Sequence, residues 1–268
     1  MKDTLSYSSD DWALILGASS GFGAATAREL ARRGLNVFGV HFDRKATLHL
    51  AETLRQDIEA AGSKVVLYNI NAADQLKRDE TIADMKQHVQ DNGMVRVFLH
   101  SIAFATLKPY IGFEAKEVVS QRQMEMTLDV MANSLVYWAQ DLVSAGLMRE
   151  EGRIYAMSSK GGERVWPTYG PTSAAKAALE SHIRQLSLEL APHRITANAI
   201  RAGVTDTPAL RKIPGSEEMI DWAIRANPYK RLTTPEDVAK AIGVLAHPDM
   251  AWLTGNVLGI DGGEGIAG

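Results

Sequence analysis

The chain has 268 residues, of which 46% are hydrophobic and 23% charged, and its formal net charge is −3. This length and apolar content suit one large α/β domain, and the lack of a basic block excludes the usual electrostatic signature of nucleic-acid binding. The chain has no cysteine, which excludes disulfides and thiolate metal sites, and its seven histidines show no metal-ligand spacing. The first residues predict no secretory signal, and no stretch is apolar for long enough to span a membrane, so we expect a cytoplasmic protein without a metal.

The first predicted unit is a strand, a glycine-rich turn and a helix. Residues 13–16 (ALIL) form a short apolar run, GASSGFG follows, and residues 24–34 have helical periodicity. Glycines let the backbone approach a pyrophosphate closely, and the free N–H groups of the helix N-terminus attract the anion. The unit therefore predicts a dinucleotide site formed by Gly17, Ser19, Ser20, Gly21, Phe22 and Gly23.

The spacing of Gly17, Gly21 and Gly23, GxxxGxG, is typical of the short-chain dehydrogenase/reductase superfamily, and the whole chain resembles that family. The resemblance implies one doubly wound Rossmann-type α/β domain over residues 1–268, with a mostly parallel sheet and helices on both faces. It also implies a nicotinamide dinucleotide as the cofactor.

Residues 36–42 (NVFGVHF) predict the second strand, whose carboxyl end meets the adenosine ribose in folds of this kind. His41 or Phe42 holds the place where NAD-dependent relatives usually present an acidic side chain. Arg44 and Lys45 follow and can bind a 2′-phosphate, so the sequence favours NADPH over NADH. Asp43 leaves NADH possible, and a solvated charge cluster is the alternative interpretation.

The next predicted elements are a helix at residues 48–61 and strands at residues 65–70 and 95–99. The resemblance places Asn71 and Ala72, after the third strand, near the adenine. The fourth strand is followed by HSIA, a form similar to the enoyl reductase branch of the superfamily. This similarity adds Ser101, Ile102 and Ala103 to the cofactor-binding residues. His100 is either a satisfied histidine at the strand end or a residue that touches the chemistry.

Residues 124–143 predict a helix with a methionine and aromatic stripe, which is typical of a core or a subunit interface. Relatives usually carry an asparagine here that completes a proton relay. Alignment by resemblance puts Met131 in that place, with Asn133 on another side of the helix. We therefore expect that this relay does not operate.

The catalytic candidates lie in the stretch 159–176, SKGGERVWPTYGPTSAAK, where a strand predicted at 153–157 gives way to a helix predicted at 174–190. They are the hydroxyl of Ser159, the phenol of Tyr169 and the ammonium of Lys176. Pro171 is favoured only in a first helical turn, so Tyr169 is predicted at the helix start. An ammonium near a phenol lowers the pKa of the phenol, which suits it to general acid catalysis. Carbonyl-reducing relatives have tyrosine four residues before the lysine, where this chain has Thr172.

The Tyr-x6-Lys spacing resembles enoyl-acyl-carrier-protein reductases, and Ser159 beside it resembles a divergent bacterial subgroup close to hydroxysteroid dehydrogenases. The resemblance implies reduction of the trans-2 double bond of an enoyl thioester on acyl carrier protein, in fatty acid synthesis. Hydride would go to the β-carbon, Tyr169 would assist the enolate oxygen, and Lys176 would hold the nicotinamide ribose. A ketone or hydroxysteroid oxidoreductase is the alternative, and a non-catalytic nucleotide-binding regulatory protein is a further one.

The last third contains a predicted strand at 195–200, and the resemblance assigns the nicotinamide carboxamide to the loop that follows it, at Gly203, Val204, Thr205 and Thr207. Residues 207–233 carry an apolar patch and predict either a substrate lid or a packed surface helix. Arg211 and Lys212 could face an acidic carrier protein. A capped helix after Thr234 and a strand at 256–260, followed by DGG, complete the sheet. By analogy, we expect a homotetramer that pairs through the helices at 124–143 and 174–190.

Overall fold

The computed structural model describes residues 7–89 and 92–267. In this part of the chain seven strands form one sheet in the order β3-β2-β1-β4-β5-β6-β7, and every pair is parallel. The strands are β1 (Trp12–Leu16), β2 (Asn36–His41), β3 (Val65–Asn69), β4 (Val95–His100), β5 (Arg153–Ser159), β6 (Thr196–Ala202) and β7 (Val257–Ile260). The order changes direction between β1 and β4, and ligands bind beyond the carboxyl ends of the strands at such a switch point.

Helices cover both faces of the sheet. One core joins the sheet to α1, α2 and α8, and the other joins it to α3, α5 and α6. The main helices are α1 (Gly21–Arg32), α2 (Leu48–Ala60), α3 (Gln75–His88), α4 (Gln121–Leu128), α5 (Ser134–Ser144), α6 (Gly170–Leu190), α7 (Ser216–Ala226) and α8 (Pro235–Leu245). The predicted doubly wound α/β fold is confirmed. None of the helices in the described ranges is both long and apolar enough to cross a membrane.

Helix α3 is an element for which the sequence produced no prediction. Its buried side chains include Arg78, Thr81 and Met85, so it lacks the apolar stripe that marks an amphipathic helix. Arg78 instead packs through polar contacts, donating to a carboxylate oxygen of Asp141 on α5 at 2.9 Å. Asp74 caps the helix by accepting from the Lys77 N–H. Polar contacts of this kind do not show in hydrophobic periodicity.

The helix predicted at residues 124–143 begins earlier and is interrupted. A π-helical turn, Asp129–Asn133, separates α4 from α5. Such turns occur often at functional sites, because they shift the side chains that follow them. The predicted apolar stripe is nonetheless buried core, and its fully buried members are Met131, Leu135, Trp138 and Leu142.

The starts of α6 and α8 match their sequence signals. Tyr169 is the cap residue of α6, and Pro171 lies in the first turn as predicted. Thr234 caps α8 in a reciprocal pair of hydrogen bonds with Asp237. The start of α6 therefore sets the position of the phenol at the edge of the sheet.

Candidate active site

The glycine turn after β1 leaves no room for a side chain at Gly17 or Gly23. A Cβ on Gly17 would lie 2.1 Å from the Ser101 carbonyl oxygen, and one on Gly23 would lie 2.1 Å from the Gly17 carbonyl oxygen. Ser20 caps α1 without a side-chain hydrogen bond within the described chain, and the first turn contains no acidic residue. The N–H groups of α1 are thus available to an anion. The turn fits the pyrophosphate of a dinucleotide.

At the end of β2, Asp43 turns its carboxylate toward the glycine turn. The carboxylate oxygen Oδ2 lies 2.8 Å from His41 Nδ1, and the hydroxyls of Thr47 and Ser19 also bond to the carboxylate. Burial raises the pKa of Asp43, but these hydrogen bonds outweigh burial and lower it, so the side chain is ionised. His41 is buried and holds Asp43 in place, whereas Arg44 is exposed. Asp43 was absent from the predicted site residues, although it lies in the sequence between two of them, His41 and Arg44.

The residues predicted near the adenine lie at the carboxyl end of β3. The Asn71 side chain is engaged with its own turn, because its Oδ1 accepts from the Ala73 N–H at 3.1 Å. The Ala72 carbonyl oxygen accepts from Trp138 Nε1 at 2.8 Å. Both residues therefore follow β3 in a fixed turn, and their contact with an adenine stays a prediction.

A cavity of about 580 Å³ opens at the carboxyl ends of β4, β5 and β6. It brings together the catalytic candidates and the nicotinamide half of the predicted site. The predicted residues that line it are Phe22, Ser101, Ile102, Ala103, Ser159, Tyr169, Lys176, Gly203, Val204, Thr205 and Thr207. The other predicted residues lie outside its lining, nearer β1, β2 and β3: Gly17, Ser19, Ser20, Gly21, Gly23, His41, Arg44, Asn71 and Ala72.

The phenol ring of Tyr169 lies against the backbone of Gly161. A Cβ on Gly161 would lie 2.3 Å from Tyr169 Cε1, so only glycine leaves room for the ring. Burial raises the pKa of Tyr169, and a hydrogen bond from the Ser159 hydroxyl offsets part of that rise. The expected lowering of this pKa by Lys176 is wrong for this structure, since burial dominates. The phenol is therefore protonated at neutral pH and available as a donor.

Lys176 is buried, and its Nζ donates to the Met157 carbonyl oxygen at 2.6 Å. Burial lowers its pKa to about 8, while the carboxylate of Glu180 one helical turn away acts in the opposite direction. Glu180 is itself held by hydrogen bonds from Ser158 and Arg201. An ammonium has three protons to donate, so the bond to Met157 leaves two.

Two polar residues, Thr172 and Asn133, lie near the positions where carbonyl-reducing relatives have a catalytic tyrosine and a relay asparagine, but neither takes over that role. Thr172 lines the cavity, and its buried hydroxyl has no hydrogen-bond partner among the described residues. Met131 lines the cavity in the place of the asparagine, while Asn133 Oδ1 lies 3.2 Å from His182 Nε2. The expectation that the asparagine relay does not operate stays a prediction.

His100 is fully buried beneath the cavity. Its Nε2 lies 2.9 Å from the Ser134 hydroxyl oxygen, and the side chain does not belong to the cavity lining. Burial, with a smaller contribution from the Lys176 charge, lowers the pKa of His100 to about 3, so the ring is neutral. His100 Nδ1 is also buried and has no hydrogen-bond partner among the described residues, so the histidine is only half satisfied. Because the side chain lies outside the cavity lining, a direct role in the chemistry has no support in this structure.

The segment 207–233 covers the cavity and is fastened to the loop before Tyr169. Trp166 Nε1 donates to the Pro214 carbonyl oxygen at 3.0 Å, and the guanidinium carbon of Arg164 lies 5.0 Å from the centroid of the Trp222 ring. Trp166 and Trp222 both line the cavity. The contact made by Trp166 was not predicted, because its loop has no periodic pattern.

The two basic residues predicted to face a carrier protein, Arg211 and Lys212, have different surroundings. Arg211 forms a bidentate ion pair with Asp206, while Lys212 lines the cavity. A further acidic residue, Glu264, also lines the cavity and accepts a hydrogen bond from the Val204 N–H at 3.0 Å. Glu264 was not among the predicted site residues, because nothing in the sequence but its place after the DGG ending distinguished it. No group of three or more potential metal-binding side chains occurs in the described ranges.

A sequence model of the family described as Enoyl-(Acyl carrier protein) reductase matches residues 17–264. The enoyl-(acyl-carrier-protein) reductase (NADH) of Aquifex aeolicus strain VF5 is 30% identical to this chain over 224 residues, which are 83% of this chain and 80% of that protein. The Aquifex crystal structure superposes with a TM-score of 0.80 at 28% identity and covers 96% of this chain and 97% of the other.

Two relatives with other names are about equally similar. The 1-cyclohexenylcarbonyl-CoA reductase of Streptomyces collinus is 30% identical over 255 residues, which are 94% of this chain and 86% of that protein. The 3-oxoacyl-(acyl-carrier-protein) reductase of Pseudomonas aeruginosa is 29% identical over 256 residues, which are 94% of this chain and 96% of that protein. Similarity at this level indicates oxidoreductase chemistry but does not select the bond that is reduced.

Proposed function

Because this chain belongs to the enoyl-(acyl carrier protein) reductase family, within the short-chain dehydrogenases/reductases, we propose that it reduces the trans-2 double bond of an enoyl thioester. The observation that carries the proposal is the position of Tyr169. The cavity wall presents a buried phenol beside Ser159 and Lys176, whereas the place used by carbonyl reducers holds only the hydroxyl of Thr172. An aliphatic hydroxyl is far too weak an acid to replace a phenol.

The cofactor is a nicotinamide dinucleotide, NADH or NADPH, which supplies a hydride to the β-carbon of the acyl chain when bound. Charge then develops on the thioester oxygen, three bonds from that carbon. Tyr169 donates a hydrogen bond to this oxygen, and help of this kind is typically worth about 10²–10⁴-fold in rate. The buried ammonium of Lys176 would hold the ribose hydroxyls, and it adds positive charge to the same wall.

The proposed acyl site is the apolar part of the cavity beneath the 207–233 segment, which we propose to act as a lid. Its lining includes Met131, Trp166, Met219 and Trp222, and these side chains exclude water from the reacting carbon. The partner proposed to deliver the acyl chain in the cytoplasm is acyl carrier protein, and Lys212, which lines the cavity, is proposed to face it. The proposed assembly is a homotetramer, supported by the exposed apolar side chains of Met126 on α4 and Leu188 on α6.

A ketone reductase is the second candidate function. Ser159 favours it, because carbonyl-reducing relatives keep a serine at this place and the Pseudomonas relative bears the name of a ketone reductase. The two functions separate in one assay, in which NADH or NADPH oxidation is followed with enoyl thioesters, an acetoacetyl thioester and a steroid ketone. We expect turnover of the enoyl thioesters. Turnover of the ketones alone would contradict the proposal, and nucleotide binding without any turnover would indicate the non-catalytic alternative.

We propose NADH as the preferred cofactor, with NADPH as the alternative. The preference for NADPH from the sequence depended on Arg44 and Lys45, and both are exposed to solvent. The ionised carboxylate of Asp43 lies against Ser19 instead, where it can accept from the ribose hydroxyls and repel a 2′-phosphate. The Aquifex relative is also named as an NADH enzyme.

Replacing Asp43 by Asn tests this cofactor preference. Removing one negative charge beside the 2′ position should strengthen NADPH binding by about 10- to 100-fold and change NADH binding less. Dissociation constants of both nucleotides are measured by fluorescence titration. Arg44→Ala is the matched control, which should leave both constants nearly unchanged. A large loss of NADPH affinity in Arg44→Ala, with no gain in Asp43→Asn, would instead support the NADPH assignment.

A further inference from the structure

Glu264 places a buried carboxylate in the wall of the cavity. The residue is 4% exposed, and its Oε2 and Oε1 lie 3.0 Å and 3.3 Å from the Val204 nitrogen. Gly203 makes room for it, since a Cβ there would lie 3.0 Å from Glu264 Oε2 and 2.4 Å from Thr233 Oγ1. The left-handed turn at Gly262 and Gly263, with φ of 61° and 85°, returns the chain to this position.

The Val204 N–H is the group that the resemblance to short-chain reductases assigns to the nicotinamide carboxamide. This N–H carries a single hydrogen, and the carboxylate already accepts it. A hydrogen bond to an ionised oxygen is roughly twice as strong as one to a neutral oxygen, so a carboxamide oxygen is the weaker acceptor of the two. One donor cannot fully serve both acceptors.

We propose that Glu264 competes with the nicotinamide carboxamide for the Val204 N–H, so that its carboxylate must release this donor when the dinucleotide binds. The charge of Glu264 then sets the affinity for the nicotinamide half of the cofactor and leaves the adenosine half unaffected. The proposal rests on the cofactor orientation of the proposed function, with nicotinamide at Val204, but not on the identity of the acyl substrate.

The groups around Glu264 make this competition dependent on pH. Burial raises the pKa of Glu264, the hydrogen bond from Val204 lowers it, Asp261 raises it and Arg164 lowers it, and the net change is upward. Lys160 lies nearby, with its Cε packed against Gly265. As pH falls through the raised pKa, the carboxyl becomes neutral and a weaker acceptor. Affinity for NADH in the unmodified protein should therefore increase as pH falls.

Glu264→Gln tests the competition, because it keeps the shape of the side chain and removes the charge. NADH binding is measured by fluorescence titration, and ADP-ribose binding, which lacks the nicotinamide, is measured by calorimetry as the control. At about pH 8 we expect NADH to bind about five- to tenfold more tightly in the variant, with ADP-ribose unchanged. The difference should shrink as the pH is lowered, because a raised pKa protonates the native carboxyl progressively and removes the charge that the variant lacks.

NADH binding that is unchanged or weaker in Glu264→Gln, with ADP-ribose binding intact, would overturn the proposal. Glu264→Ala is the second variant, and it should bind NADH at least as tightly as the glutamine variant does. Loss of ADP-ribose binding in both variants would show that Glu264 supports the fold of the site, and this too would overturn the proposal. The proposed function fails separately, if NADH binds as expected but no enoyl thioester is reduced.

Discussion

Replacing Tyr169 by Phe should reduce the turnover of an enoyl thioester by about 10²–10⁴-fold and leave NADH binding nearly unchanged. The substitution removes the one phenolic proton in the cavity lining and keeps the ring that packs against Gly161. The loss should fall on kcat, because the hydrogen bond to the enolate oxygen strengthens only as charge develops in the transition state. Single-turnover rates with saturating NADH measure this effect directly.

Thr172→Val is the matched control for Tyr169→Phe. Thr172 lies at the position of the catalytic tyrosine in carbonyl reducers, and its buried hydroxyl has no partner among the described residues. Because valine has nearly the same shape, we expect almost unchanged enoyl turnover. A large loss in Thr172→Val, or ketone turnover that survives Tyr169→Phe, would contradict the displaced-phenol mechanism.

Sequence alone was sufficient for the features that depend on local pattern. The glycine turn was predictable because strand, GxxxGxG and helix occur together, and the structure shows that Gly17 and Gly23 have no room for a Cβ. The start of α6 was predictable because Pro171 fits only a first turn. Spacing and turn chemistry are local properties of the sequence, and they predicted that Tyr169 and Lys176 act together at the start of one helix. Both residues line the cavity in the structure.

The features that were missed depend on contacts between distant segments. The carboxylate of Asp43, which follows β2, bonds to the hydroxyl of Ser19, which follows β1, as well as to the His41 ring. The sequence of β2 alone could not show this contact, so it could not show which side chain faces the cofactor. Glu264 accepts a hydrogen bond from the Val204 N–H, which lies 60 positions earlier in the chain. The expected pKa of Tyr169 was wrong for a related reason, since burial is a property of the packed site and raises this pKa more than the hydrogen bond from Ser159 lowers it.

Lys176→Met should abolish most activity and yet make the protein more resistant to denaturant. Burial lowers the pKa of Lys176 to about 8, which means that the fold holds this ammonium at a cost near neutral pH. Methionine has a similar length and no charge to desolvate. After the lost hydrogen bond to the Met157 carbonyl is deducted, the free energy of unfolding should rise by about 1–3 kcal/mol at pH 7.

The sign of the pH dependence follows from the lowered pKa. Above about pH 8 the folded protein releases the Lys176 proton while the unfolded chain still binds it, so the cost of holding the ammonium declines as pH rises. The stabilisation by Lys176→Met should therefore be largest below pH 8 and fade in alkali. In the unmodified protein kcat/KM should fall as pH rises through about 8, because the charged form holds the ribose.

Urea unfolding at several pH values and kcat/KM profiles separate these two effects of Lys176. Lys176→Arg is the control, since it keeps a positive charge over the whole range and should lose the alkaline fall in whatever activity it retains. A methionine variant that is both inactive and less stable at pH 7 would show that the ammonium is mainly structural. Stability gained together with activity lost would show the opposite: the fold tolerates a desolvated charge at this position because the reaction requires it.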